Sequence, residues 1–193
     1  MNLTLLAVLV VLCIVLMVLE RRGLKTTLKL NMKGDVKRET RWLAQYGQAV
    51  CTGVGAALVA QLDPRPQRVQ IALVVAGTVL AASIVAMLIK RLVSRVRPGH
   101  ENAGKFLGPS FKHANYKESF PSSHSASAVA FSVVLATLYP AAAVTFWVLA
   151  LLCAGLRYIL DAHWPSDVVG GIALGYAVGS AAGQWAGLAP MGR

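Results

Sequence analysis

Residues 119–156 read SFPSSHSASAVAFSVVLATLYPAAAVTFWVLALLCAGL, 38 residues without a Lys, Arg, Asp or Glu. A membrane helix needs about 20 consecutive apolar residues, so the stretch is twice the length of one span. Tyr139-Pro140 divides it. Proline is tolerated at the first position of a helix, where its missing N–H costs nothing, so the stretch predicts two membrane helices joined by a tight hairpin.

Four further windows lack charge: 1–19, 42–62, 69–89 and 168–192. Each fits one span, the second being the weakest because Gln45, Gln48 and several glycines dilute it. The fold class this predicts is all-α: a polytopic membrane helix bundle with six transmembrane helices, forming a single integral membrane domain over 1–193. Composition agrees. The chain is 56% hydrophobic and only 14% charged, with a mean hydropathy of +0.59, whereas soluble domains carry about 25% charged residues. The N-terminal run lacks a basic leader and a small-residue cleavage site, and Glu20-Arg21-Arg22 closes it like a retained span. Cys13, Cys51 and Cys153 fall inside apolar windows, with no metal-knuckle spacing, and read as small packed hydrophobes.

The few charges are mostly basic, giving a net charge of +11. The basic residues sit at membrane ends, so anionic membrane lipids are the expected partner and nucleic acid is not. Residues 20–41 hold eight basic and three acidic residues, and residues 90–118 hold seven and two, with His100 and His113. Leu24, Leu28, Met32 and Val36 recur every four residues, predicting an interfacial helix in the first connector, with a solvated basic loop as the plainer alternative. Pro121, Pro140 and Pro165 each precede an apolar run. Gly171, Gly175, Gly179, Gly183 and Gly187 line one face of the last span and predict close packing of another helix there.

Three polar clusters interrupt this apolar plan. In RYILDAHWPSD (157–167), Asp167 is the third residue of a helix begun by Pro165. Its carboxylate can reach back over the first turn and hydrogen-bond one ring nitrogen of His163. That fixes the tautomer and leaves the other nitrogen as acceptor or nucleophile. Arg157 closes the preceding helix. In PSSH (121–124), Ser122, Ser123 and His124 occupy a helix first turn, where free N–H groups and hydroxyls suit an anion. In KRLVSRVRP (90–98), Lys90 and Arg97 are seven apart, two turns on one helix face, while Arg91 and Arg95 face elsewhere, toward lipid headgroups. Taken singly, each cluster also reads as an ordinary interface loop, helix cap or basic helix end. With six spans, however, the connectors after the first, third and fifth share one side, and all three clusters meet there.

Three cations, backbone donors, two histidines and an orienting carboxylate are parts for attack on a phosphate. Cations and N–H groups take the oxygens that gain charge, one histidine attacks phosphorus, and the other protonates the departing oxygen. His124, His163 and Asp167 could instead ligate a metal, but Lys90, Arg97 and Arg157 would repel a divalent cation and no surplus of carboxylates offsets them. The reading is therefore of a site that uses neither a metal nor a cofactor.

The motifs at 90–98, 121–124 and 157–167 resemble the three signatures of the type 2 phosphatidic acid phosphatase superfamily, K-x6-R-P, P-S-G-H and S-R-x5-H-x3-D, in order and in internal spacing. The resemblance implies a metal-independent membrane lipid phosphatase acting through a phosphohistidine. Its substrates would be lipid phosphates such as phosphatidate, lysophosphatidate, phosphatidylglycerol phosphate, isoprenyl diphosphates or lipid A. It implies His163 as nucleophile oriented by Asp167, His124 as general acid, and Lys90, Arg97, Ser122, Ser123 and Arg157 as phosphate-binding groups. Two positions depart from the pattern: Ser123 replaces the usual glycine and Leu156 the usual serine. Neither touches the histidines or the aspartate, so activity is expected to survive. The rival readings are a phosphotransferase of the same fold and a non-catalytic anionic-lipid binding or transport protein. The resemblance also implies a multi-pass inner-membrane protein with its site on the extracytoplasmic face, although sixteen of the nineteen Lys and Arg residues lie on that face and the positive-inside rule read literally would place it in the cytoplasm.

Overall fold

The computed structural model describes residues 1–24, 26, 28, 30, 33–160 and 163–188. Seven α-helices account for most of them: α1 (Leu3–Arg21), α2 (Gly34–Leu43), α3 (Ala49–Leu62), α4 (Arg68–Val93), α5 (Ser123–Leu138), α6 (Ala143–Ile159) and α7 (Pro165–Trp185). Short 3₁₀ turns cover Asn115–Lys117 and Pro140–Ala142. The described residues form no strand, only an isolated antiparallel bridge between Arg95 and Phe106. Six apolar helices thus occupy the five charge-free windows, two of them, α5 and α6, in 119–156. By length and hydropathy, three qualify as membrane spans: Leu3–Arg21, Arg68–Val93 and Pro140–Ile159. Ala49–Leu62 and Ser123–Leu138 are shorter, and α7, though 21 residues long, is diluted by five glycines.

Helix α5 is the axis. Twelve of its sixteen residues are buried, and α4, α6 and α7 pack around it. Its sequence SHSASAVAFSVVLATL explains why: serine and alanine let neighbouring backbones approach closely where lipid supplies no hydrophobic drive between helices. Helix α7 answers with glycine. A Cβ at Gly171 would fall 2.5 Å from the Ser122 carbonyl oxygen. One at Gly175 would strike the Ala126 carbonyl oxygen and come 2.9 Å from Val129 Cβ. One at Gly179 would lie 2.9 Å from Val133 Cβ. The ladder ends there: Gly183 faces open space, and Gly187 lies beyond the helix with φ +59°, so three of the five glycines make the predicted contact. Helix α1 packs on the outer side of α7 and buries only Cys13. Leu3, Val8, Val11 and Ile14 stay exposed, as befits a lipid-facing helix.

The polar connectors depart from expectation in two places. Leu24 and Leu28 are not helical, and Met32 lies outside the described residues. The helix of the first connector is instead α2, which takes in only Val36 of the four. The second window also begins late: residues 44–48 turn, with Gly47 at φ +76° against the Ala128 backbone, and α3 starts at Ala49. Pro140 and Pro165 occupy first helical positions as predicted, whereas Pro121 precedes the Ser122 cap of α5.

The packing predicts a contrast on one helix. Gly175→Ala should lose roughly 1–3 kcal/mol of stability, the range for overpacking a tight site. Gly183→Ala should be neutral or gain up to about 1 kcal/mol from helix propensity. Thermal unfolding of the two variants in detergent checks this, and equal effects would contradict the close approach.

Candidate active site

The C-terminal end of α4 sets the first part of the site. The helix stops at Val93 because Ser94 adopts a left-handed conformation, φ 42° and ψ 58°. The chain beyond runs extended against residues 104–107, with Val96 N–H donating to the Lys105 carbonyl at 2.9 Å and Gly104 N–H to that of Val96 at 3.0 Å. Lys90 and Arg97 therefore do not share a helix face. A turn brings them together, and the backbone carbonyl of Glu118 accepts from both, at 2.8 Å from Lys90 Nζ and 3.3 Å from Arg97 Nη2. Arg97 Nε donates to the Asn115 carbonyl at 2.8 Å. The Glu118 carboxylate anchors this loop through Ala114 N–H, His113 and Arg91. Lys90 is buried.

The same turn changes the meaning of Arg95. The sequence reading sends it to lipid headgroups, but a helical projection does not apply beyond Ser94. Arg95 is 1% exposed and forms two buried ion pairs. Its Nη1 donates to Asp167 Oδ1 at 2.7 Å, and its Nη2 donates to Glu20 Oε2 at 2.7 Å. Arg91 does not face lipid alone either, since it pairs with Glu118 at 3.0 Å.

Helix α5 opens with Ser122 as its cap. Its hydroxyl accepts from Ser125 N–H and from the Ser125 hydroxyl at 3.0 Å, and its own N–H donates to the Asp167 carbonyl at 2.9 Å. These bonds use the hydroxyl oxygen as an acceptor and the N–H as a donor, and neither uses the hydroxyl proton, the part of Ser122 that a phosphate oxygen would take. The N–H groups of Ser123 and His124 begin the helix and have no intrahelical partner. Among the described residues, only Ser94 and Asn102 are non-glycines with positive φ, so serine in place of the family glycine at 123 carries no such strain. His124 is half-buried, within electrostatic reach of Arg157, His163, Lys90 and Arg97. Arg157, in the last turn of α6, has a buried Nε without a hydrogen-bond partner.

Helix α7 supplies the carboxylate. Asp167 Oδ2 accepts from Trp164 N–H at 2.9 Å, the back-reach read from the sequence, and from the Ser119 hydroxyl. His163 is 1% exposed, and its Nδ1 stands 3.6 Å from Asp167 Oδ2. That is ion-pair range but outside hydrogen-bond range, so the bond predicted between them is not closed here. Nδ1 has no other partner. Burial holds the His163 imidazole down at about 4; Asp167 pulls it up, and Arg97 and Lys90 oppose that pull. Asp161 lies outside the described residues. Among those described, no three His, Cys, Asp or Glu side chains group as a metal set. Sequence reasoning missed Glu20, Arg95, Ser119 and Ser166. A signal was present in Glu20, an acid closing an apolar run, but nothing local ties it to Ser166, 146 positions on.

Residues 71–189 match the family model described as PAP2 superfamily. The chain is 37% identical over 145 residues to a decaprenylphosphoryl-5-phosphoribose phosphatase of Mycobacterium tuberculosis, covering 72% of this chain and 75% of that protein. It is 38% identical over 99 residues to a lipid A 1-phosphatase of Rhizobium johnstonii, covering 51% of this chain. It spans 41% of that relative's length. In structure it resembles a transmembrane PAP2-type phosphatidylglycerolphosphate phosphatase from Bacillus subtilis, with a TM-score of 0.55 over 97% of this chain and 98% of that one, at 17% identity. The last likeness speaks for the fold, and with the apolar helices it marks an integral membrane protein. Family model and relatives agree with the three motifs: the chain belongs to the PAP2 superfamily.

Proposed function

We propose that this protein is a membrane lipid phosphatase that hydrolyses a phosphomonoester or diphosphate through a phosphohistidine. The observation that carries the reading is the meeting of Lys90, Arg97 and Arg157 with two histidines, one of which stands before a buried carboxylate. Binding alone would need the cations but no such pair. The relatives' names, for a lipid A phosphatase and a phosphatase of a decaprenyl phosphosugar, support a lipid phosphate as substrate.

In this reading Lys90, Arg97 and Arg157 take the phosphoryl oxygens, and the partnerless Nε of Arg157 gains an acceptor. The N–H groups of Ser123 and His124 add donors at a helix start. The Nε2 lone pair of His163 attacks phosphorus as the ester P–O bond breaks. The imidazole becomes positive, and Asp167 closes on its Nδ1–H. His124 gives its proton to the departing oxygen. Water then attacks the phosphohistidine, giving its proton to His124, and phosphate leaves. The negative charge of the substrate offsets the three cations around His124 and favours the protonated form that the first step needs. The basic helix α2, with Lys37, Arg38 and Arg41 beside the exposed Trp42, lies in the headgroup layer and holds anionic lipid.

The roles divide cleanly in mutants. With excess chelator and a panel of lipid mono- and diphosphates, the wild type should release phosphate. His163→Ala should fall by at least about 10³-fold, the scale of losing a nucleophile. His124→Ala should still form a phosphoenzyme from a substrate with a good leaving group. Near wild-type turnover by His163→Ala would falsify the mechanism, and activity lost to chelator and restored by a divalent metal would replace it with a metal site.

The titration follows from burial. A histidine held below its ordinary range sheds its proton at lower pH, so the attacking form of His163 is fully present at neutral pH. NMR of histidine-labelled protein without substrate should give a midpoint near 4 for His163. A midpoint at about 6.5, the unperturbed value, would contradict the buried setting.

We assign the site to the extracytoplasmic face of the inner membrane on the family resemblance, against the positive-inside rule; phosphate binding accounts for Lys90, Arg97 and Arg157 in the basic excess of that face. Glu101 is exposed on the connector beside the site. In a background lacking Cys13, Cys51 and Cys153, Glu101→Cys should react with a membrane-impermeant thiol reagent in intact cells. Reaction only after the membrane is opened would reverse the assignment.

A further inference from the structure

Behind His163 lies a buried charge cluster of which the reaction above uses only Asp167. Asp167 Oδ1 and Ser166 Oγ accept from Arg95 Nη1 at 2.7 and 2.6 Å. Glu20, at the end of α1, accepts from Arg95 Nη2 at 2.7 Å, from Ser166 N–H at 3.0 Å and from the Ser166 hydroxyl at 2.5 Å. The Arg95 guanidinium lies against the Phe106 and Trp164 rings, its Cζ 5.2 and 5.3 Å from their centroids. The side chains of Arg95, Glu20 and Asp167 are 2%, 2% and 0% exposed. Arg95 is therefore placed to grip the carboxylate from behind rather than to meet a substrate.

We propose that Arg95 and Glu20 are positioning residues: Arg95 holds the Asp167 carboxylate toward His163, and Glu20 cancels the charge of Arg95 so that Asp167 acts on the imidazole at full strength. The inference rests on His163 being the group that reacts. The logic is one of sums. Asp167 and Arg95 alone are neutral as a pair, and a neutral pair stabilises a positive imidazole weakly. Adding Glu20 restores a net charge of −1 behind the ring. The groups within reach of His163 are Asp167 from α7, Lys90 from α4, Arg97 from the connector after it, and His124 from α5. Lys90 and Arg97 are cations, so the sign of the cluster behind decides how well a developing positive charge on the ring is tolerated. Helix α1 thereby becomes part of the site, although no motif of the sequence lies on it.

The test reads charge rather than fold. Glu20→Gln keeps the shape and an oxygen for Ser166 but leaves Arg95 uncancelled. The NMR midpoint of His163 should move down, and kcat on a lipid phosphate should fall about tenfold with KM within about twofold, the pattern of an interaction strengthened in the transition state. Arg95→Gln should move the midpoint up. The double variant Glu20→Gln/Arg95→Gln restores the net charge of −1 and should return the midpoint toward the wild-type value, which a merely structural role would not do. Midpoints unmoved in both single variants, or a double variant farther from wild type than either single, would overturn the proposal. If Arg95→Gln fails to fold, the near-isosteric Glu20→Gln decides alone through its midpoint and its split of kcat from KM. The midpoints need no turnover, so an inactive wild type with the expected shifts would sink the phosphatase reading and leave the charge device standing.

Discussion

A fully buried carboxylate governs this fold. Asp167 is 0% exposed, and an ionised carboxylate away from water persists only when it is paired and hydrogen-bonded. Each requirement recruits a different part of the chain. Arg95 arrives from the connector after α4, Ser119 from the segment before α5, and the Trp164 N–H from the turn before α7. The Asp167 carbonyl then takes the Ser122 N–H, tying the start of α5 to the start of α7. Glu20 brings in the end of α1 by neutralising Arg95. Satisfying one side chain thus gathers four helix ends at one level.

The helices can meet there because their contact faces carry little bulk. Glycines of α7 admit the α5 backbone, and hydroxyls stitch the bundle lower down. Ser83 pairs with Ser127 at 2.9 Å, and Ser132 with Tyr46 at 3.0 Å while donating to the Phe146 carbonyl at 2.8 Å. Such interhelical bonds replace the hydrophobic drive that lipid does not provide. The opposite end has its own staple: Asp63 accepts from Arg65 and from the Tyr139 hydroxyl at 2.6 Å. Those bonds keep the Asp63 carboxyl well below the usual range against the opposing effect of burial.

The helices were legible because charge-free runs and proline positions are local properties. The gathering of Lys90, Arg97, His124, Arg157, His163 and Asp167 at one end was legible too, since counting spans assigns each connector a side. What could not be read was anything dependent on a change of backbone course. A helical projection placed Arg95 in the headgroups and put Lys90 and Arg97 on one face, and the left-handed turn at Ser94 cancels both. A serine reads as favourable to right-handed or extended backbone, so nothing in the string announces that turn. The double use of Ser122 was hidden for a related reason: nothing in the string says that its oxygen caps α5 by accepting from Ser125 while its proton stays uncommitted. Five glycines in register promised a long seam, and only the three that meet α5 form one.

The length of α5 has a consequence for the bilayer. Its sixteen residues rise only about 24 Å, short of a hydrocarbon layer of about 30 Å. A lipid-facing helix of that length would have to thin the membrane around it. Helix α5 is walled off by its neighbours, so the mismatch has nothing to act on. Matching membrane thickness is left to lipid-facing helices such as α1 and the 26-residue α4. The central helix can therefore keep whatever length sets the depth of its first turn, and a change of host membrane would strain the outer wall before it moved the histidine.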